Sequence, residues 1–151
     1  MLNPWETVLT GNVDDGTVFD APFTETLDGW YITSNAYPGY PTVVEGMGVD
    51  VRFASSGGYF THAAFDVEGS TGYRLHMECQ LIPPETYMNL HTVIRFSDGS
   101  TVEDFANGLS SLFFTFHEFE FTTPAGCEGL QVMFDSVPSR YYLRNCSLTK
   151  D

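Results

Sequence analysis

The sequence predicts an all-β protein, a two-sheet antiparallel β-sandwich with an irregular N-terminal arm. Three observations predict it. Short apolar segments alternate with polar residues at a period of two, Gly and Pro turns separate nearly all of them, and no segment sustains a 3.6-residue period. Aromatic residues make up 15% of the chain, and they fit pleated surfaces. A length of 151 residues suits one domain, large enough to bury roughly 68–70% of the unfolded chain's surface without staples. The expected division is an arm over residues 1–16 and a sandwich over residues 17–151.

The elements follow in order. "MLNPWETVLTGNVDDG" shows no periodicity and reads as the arm. "TVFDAPF" and "GWYITS" are the first two strands. "GVDVRFA" places Val49, Val51 and Phe53 on one face, and "YFTHAAFDV" does the same for Tyr59, Thr61, Ala63, Phe65 and Val67. "GYRLHMECQL" is the clearest half-buried strand, with Tyr73, Leu75, Met77, Cys79 and Leu81 inward and Arg74, His76, Glu78 and Gln80 outward. "YMNLHTVIRF" turns through Asp98-Gly99 into "TVEDF". "LFFTFHEFEFTT" changes parity between Phe116 and Phe119, so a loop is expected to give way to strand near His117. "GLQVMFD" and "YYLRNCSLT" complete the set. In the last, Tyr142, Arg144, Cys146 and Leu148 share one parity, and the two apolar members mark it as inward. That reading sends a guanidinium toward the core, where an unpaired charge is costly.

The formal charge of −14 comes mainly from a shortage of bases, six Lys and Arg in all. Such a surface disfavours nucleic acid and anionic membranes. No stretch approaches the ~18 apolar residues of a membrane span. Met1 is followed by Leu2-Asn3-Pro4-Trp5, with neither a basic nor an apolar signal-peptide region, so no export is expected. Cys79, Cys127 and Cys146 lack zinc spacing and read as buried free thiols, with a Cys79–Cys146 bridge as the alternative. No HExxH, GxSxG or phosphate-binding loop occurs, and the four histidines fall on separate strands, so no catalytic site and no enzyme are expected. Asp14, Asp15 and Asp20 read as a solvated acidic loop rather than a metal site.

Four segments, taken in order over residues 17 to 149, resemble the jelly-roll carbohydrate-binding modules of the family 4, 9 and 22 kind. They are "VFDAPFTETLDGWYITS", "AAFDVEGSTGYRLHMECQL", "FEFTTPAGCEGLQVMFD" and "YYLRNCSLT". The resemblance implies a jelly roll. It also implies a structural calcium held near the first strand by an Asp of the closing strand. Here that position is Arg144, and a guanidinium offers no oxygen ligand, so calcium is disfavoured and no cofactor is expected. Arg144 is instead expected to stand in the ion's place and pair with Asp20 or Glu25.

Glycan recognition needs exposed aromatic rings beside polar groups. The loop "SNAYPGYPT" offers Tyr37 and Tyr40, and Trp30 precedes it. Trp30 can equally be a core residue at a strand entry, and both tyrosines can pack beneath the loop. Trp5 and Leu2 in the arm are candidates for docking on a larger assembly. A short sandwich with an aromatic arm and no export signal is similar to bacteriophage capsid-decoration, fibre or tail-associated proteins. The leading expectation is therefore a non-catalytic structural or adhesive virion protein, made in a host cytoplasm, partnered by a capsid or tail and touching glycans. The alternative is a stand-alone carbohydrate-binding module of a polysaccharide-processing system, cytoplasmic or extracellular.

Overall fold

Alternating burial is clearest in the longest strands of the protein. The structure, a computed structural model, describes residues 16–151. The arm candidates Leu2 and Trp5 lie outside the described residues. Twelve strands form: β1 (Thr17–Ala21), β2 (Tyr31–Ile32), β3 (Thr42–Val44), β4 (Gly48–Arg52), β5 (Tyr59–Thr61), β6 (Phe65–Asp66), β7 (Gly72–Leu81), β8 (Leu90–Phe96), β9 (Thr101–Ala106), β10 (Thr115–Thr122), β11 (Gly129–Asp135) and β12 (Arg140–Lys150). Sheet I has the order β10-β7-β12-β4-β3, with β1 also pairing β12. Sheet II has the order β2-β5-β11-β8-β9, with β6 also pairing β11. All pairings are antiparallel. The expected β-sandwich is the fold, and no helix occurs among the described residues.

The core lies between the sheets. Strand β7 buries every second side chain from Tyr73 to Leu81, as its pattern requires. Val49, Val51 and Phe53 are buried as a set. An aromatic cluster fills one end: Trp30 lies 5.4 Å from Phe60 and 5.5 Å from Phe19 between ring centroids, with Phe23 and Phe134 also against it. Edge-to-face and tilted contacts of this kind suit the ring quadrupoles. At the open edge, His117 Nε2 meets Asp104 Oδ2 at 2.5 Å and ties β10 to β9. Cys79, Cys127 and Cys146 are free and buried, so the alternative bridge does not form. Burial pushes the Cys79 and Cys146 thiols well up, which makes them unreactive.

Three local expectations are corrected. The segment over residues 59–67 is two strands, and Phe60 rather than Tyr59 is fully buried. Strand β10 starts at Thr115, ahead of His117, and its register with β7 is continuous; Phe116 simply faces solvent while Phe121 faces the core. The third correction is in β12. Tyr141 and Leu143 are buried, and so are Cys146 and Leu148, which requires a change of parity between them. The register shifts between Arg144 and Ser147, and Asn145 adopts a left-handed φ of 50°. This bulge re-aims the strand where it leaves β4 and takes up β1. Gly48 allows the close approach: a Cβ there would lie 2.4 Å from the Leu143 carbonyl oxygen, and φ is +94°. Arg144 therefore faces outward and never enters the core.

Candidate ligand-binding face

The outer face of sheet I is built from the polar half of its alternation. Register places Phe116 beside Glu78, Glu78 beside Arg144, Gln80 beside Tyr142, Tyr142 beside Asp50, and Arg140 beside Arg52. Equal parity adds Arg74 and His76. Four of the chain's five arginines thus share this face: Arg52, Arg74, Arg140 and Arg144.

Carboxylates answer three of them. Arg140 grips the buried Asp50 with two hydrogen bonds, Nε to Oδ1 at 3.3 Å and Nη2 to Oδ2 at 2.9 Å. This fork-to-fork geometry suits a desolvated acid. Arg144 donates from Nε to Glu78 Oε1 at 2.9 Å, and its guanidinium carbon lies 3.6 Å from the Phe114 ring centroid. Asn145 donates to the other Glu78 oxygen at 3.0 Å. Burial opposes the Glu78 carboxylate, but the bonds from Asn145 and Arg144 outweigh it and lower its pKa. Arg74 lies among Glu118, Glu120 and Asp151.

Arg52 differs. Its guanidinium carbon lies 3.8 Å from the Tyr37 centroid and 5.5 Å from that of Tyr40, and it pairs with no carboxylate among the described residues. Backbone bonds fix the arrangement. Tyr37 N donates to the Arg52 carbonyl at 3.0 Å, and Tyr40 N donates to the Tyr37 carbonyl at 3.0 Å. The two tyrosine rings meet edge to face, 6.0 Å apart. Arg140 approaches the Tyr40 ring as well, at 5.7 Å. Beside them lies a pocket of about 420 Å³ walled by Tyr37, Arg52, Ile82, Pro84, Ser139 and Arg140. Glu85 also borders it, but both its oxygens are taken: one by Ser139 N and Oγ, the other by Thr86 N and Tyr87 N. A larger hollow of about 590 Å³ lies at the opposite end of the sandwich, where Lys150 and Glu68 answer each other at 3.0 Å.

The sequence candidates separate clearly. Tyr37 and Tyr40 come together at the pocket. Trp30 does not join them: it is 3% exposed and packed in the core, so its assignment as a ligand platform is corrected. Arg144 has an acid partner, but the partner is Glu78 on the neighbouring strand rather than Asp20 or Glu25, because Arg144 lies directly opposite Glu78 in register while Asp20 lies opposite Ser147. Asp20 lies in register with Ser147 and is exposed, and Glu25 is exposed in the following turn. The arginine position does not fit calcium, since its side chain brings donors where the ion needs oxygens. Among the described residues, no three His, Cys, Asp or Glu side chains gather to hold a metal. Sequence reasoning missed Arg52, Arg140, Asp50, Tyr142 and Phe114. The available signal was "VDVRF", where Asp50 and Arg52 alternate with core residues.

No family model and no curated protein sequence matches the chain. Solved structures do match. The xylan-binding family 22-1 domain of Paenibacillus barcinonensis Xyn10C superposes with a TM-score of 0.61 at 12% identity, covering 89% of this chain and 94% of that one. The C-terminal family 22 carbohydrate-binding module of Clostridium thermocellum Xyn10B, whose cleft takes part in ligand binding, gives 0.65 at 10% identity, covering 90% and 95%. The chain has the fold of these carbohydrate-binding modules. The enzymatically active domain of bacteriophage CBA120 tailspike protein 4 gives 0.51 at 16% identity, covering 87% of this chain but 20% of that one.

Proposed function

We propose that the protein is a non-catalytic glycan-binding module and that the outer face of sheet I holds the polysaccharide. The observation that carries this reading is the row of aromatic side chains interleaved with polar ones on that face. Tyr37, Tyr40, Tyr142, Phe114 and Phe116 lie among Arg52, Arg140, Glu78, Gln80 and His76. Rings stack on the C–H faces of sugars while polar neighbours take up the hydroxyls. Tyr37 is 40% exposed and Phe116 57%, so both offer surface to a ligand. Two family 22 domains with this fold are xylan-binding, which supports a plant-type polysaccharide as the first ligand to try. The experiment is affinity electrophoresis and calorimetry against soluble polysaccharides, comparing wild type with Tyr37→Ala and Tyr142→Ala. Binding weakened by both substitutions is expected. Glycan binding unchanged in both would overturn the site.

A second reading keeps the same module in a virion appendage, docked through the arm with Leu2 and Trp5. The likeness to a tailspike domain favours it. Deleting residues 1–12 should then abolish attachment to the assembly while leaving glycan affinity intact.

A further inference from the structure

We propose that the glycan is acidic and that Arg52, stacked on Tyr37 at the pocket, receives the carboxylate of a uronate unit. The inference rests on the glycan-binding reading and names its substrate class.

Three observations converge on it. The chain carries a net charge of −14, yet four of its five arginines lie on one sheet face. Carboxylates on the same face neutralise three of these guanidiniums, so the pull on an anion is local to the one they leave over.

The second observation is that the cations are not equivalent. Arg74, Arg140 and Arg144 already have carboxylates. Arg52 has none among the described residues, and its only ring contacts are Tyr37 and Tyr40. Stacking occupies the flat face of a guanidinium. It leaves the N–H edge, which is the part that matches a carboxylate bidentately. Both tyrosines are fixed by main-chain bonds to β4 and to each other, so the guanidinium is held before ligand arrives.

The third is the surroundings. The pocket of about 420 Å³ beside Arg52 accommodates a sugar unit, and Tyr37 supplies a ring on the same wall. The carboxylates nearest in the fold do not compete for Arg52. Asp50 is held by Arg140, and the two oxygens of Glu85 accept from Ser139, Thr86 and Tyr87. The pocket therefore presents one free set of charged donors beside one aromatic platform. A uronate offers the matching pair, a carboxylate on a ring whose C–H face can stack.

The test uses 4-O-methylglucuronoxylan, the same polymer after carboxyl reduction, and polygalacturonate. Binding is measured by calorimetry at low and high salt with wild type, Arg52→Gln and Arg52→Lys, each checked for an unchanged melting temperature. Wild type should bind the acidic xylan about 10-fold or more tightly than its reduced form, from the charge-assisted bonds. Salt should narrow that gap. Arg52→Gln should bring the ratio to about one, and Arg52→Lys should retain part of it as a point charge without the fork. If the reduced xylan binds as well as the acidic one, or Arg52→Gln leaves the ratio unchanged, Arg52 is a clamp for Tyr37 and the inference falls while glycan binding stands. Binding to no polysaccharide would remove both. Preference for polygalacturonate over glucuronoxylan would support the inference and place the uronate in the main chain.

Discussion

On the outer face of sheet I, four guanidiniums lie against carboxylates or over tyrosine and phenylalanine rings. On the outer face of sheet II, His91 is held between Asp135, at 2.9 Å, and Glu103, at 2.6 Å, with Phe105 stacked 4.7 Å away. Both faces arise from the same alternation, and cross-strand neighbours satisfy most of their charges; Arg52 on sheet I and Arg95 on sheet II have no acid among the described residues. The difference lies in what is left over. Sheet II closes its cluster: each imidazole nitrogen has an acid. Sheet I leaves the Arg52 edge unused beside a pocket, and leaves exposed rings next to it. A face that only needs to stay solvated has no reason to hold a cation on a ring without an acid. What separates Arg52 from the exposed Arg95 is that a fixed ring holds it in place, so the comparison teaches that unmet capacity held in one position, rather than charge or a missing acid alone, is what sets sheet I apart.

The largest expected effect comes from the most buried charge of the comparison. Asp50 is 3% exposed and receives both Arg140 bonds. Asp50→Ala removes one partner of a nearly buried pair and leaves a guanidinium half-buried without its acid. The expected loss is about 2–4 kcal/mol, below the fully buried extreme because Arg140 keeps access to water. The matching change on sheet II, Glu103→Ala, should cost about 1 kcal/mol or less, since that carboxylate is largely exposed. Chemical denaturation of both variants checks the order. Equal losses would mean that the two faces are held in the same way. Next in size is Glu78→Ala, which strips Arg144 and Asn145 of their shared acceptor at the β12 bulge. A loss of about 1–2 kcal/mol is expected, again read from denaturant midpoints.

The sandwich was legible because alternation is written residue by residue. Strand β7 shows it without interruption, and no competing helical period exists. Tyr37 and Tyr40 were legible as a pair because Pro-Gly places them in one turn. Arg144 was not. Its parity matched Cys146 and Leu148, and only the bulge at Asn145, a three-dimensional event with no fixed sequence signature, separates them. Trp30 was ambiguous for another reason: a tryptophan at a strand entry satisfies the same local pattern whether it faces core or ligand. The Arg52–Tyr37 stack joins residues 15 positions apart through the β-bridge of Ala36 with Phe53, which strand-by-strand reading cannot see.

The smallest expected effect separates the two faces by pH. Burial alone would lower the His91 pKa, but its hydrogen bonds to Asp135 and Glu103, with their charges, outweigh that and raise it. A raised folded value means that the imidazolium stabilises the protein fully below the unfolded value of about 6.5, and that this contribution is lost as pH rises through the folded value. Glu78 runs the other way. Its lowered folded value gives a contribution that is present above the ordinary carboxylate range and lost as pH falls through the folded value. The alkaline limb of stability against pH therefore draws on sheet II, while sheet I contributes to the acid limb. His91→Gln keeps a side chain of similar reach but cannot carry the charge. It should flatten the alkaline limb by about 1 kcal/mol, or about 2–4 °C in melting temperature for a chain of this size, and leave the acid limb as it was. Calorimetric melts from about pH 2.5 to 9 resolve the two limbs. An alkaline limb as steep in His91→Gln as in wild type would show that the clasp on sheet II does not carry the charge its geometry implies, and the two faces would no longer differ in the way described.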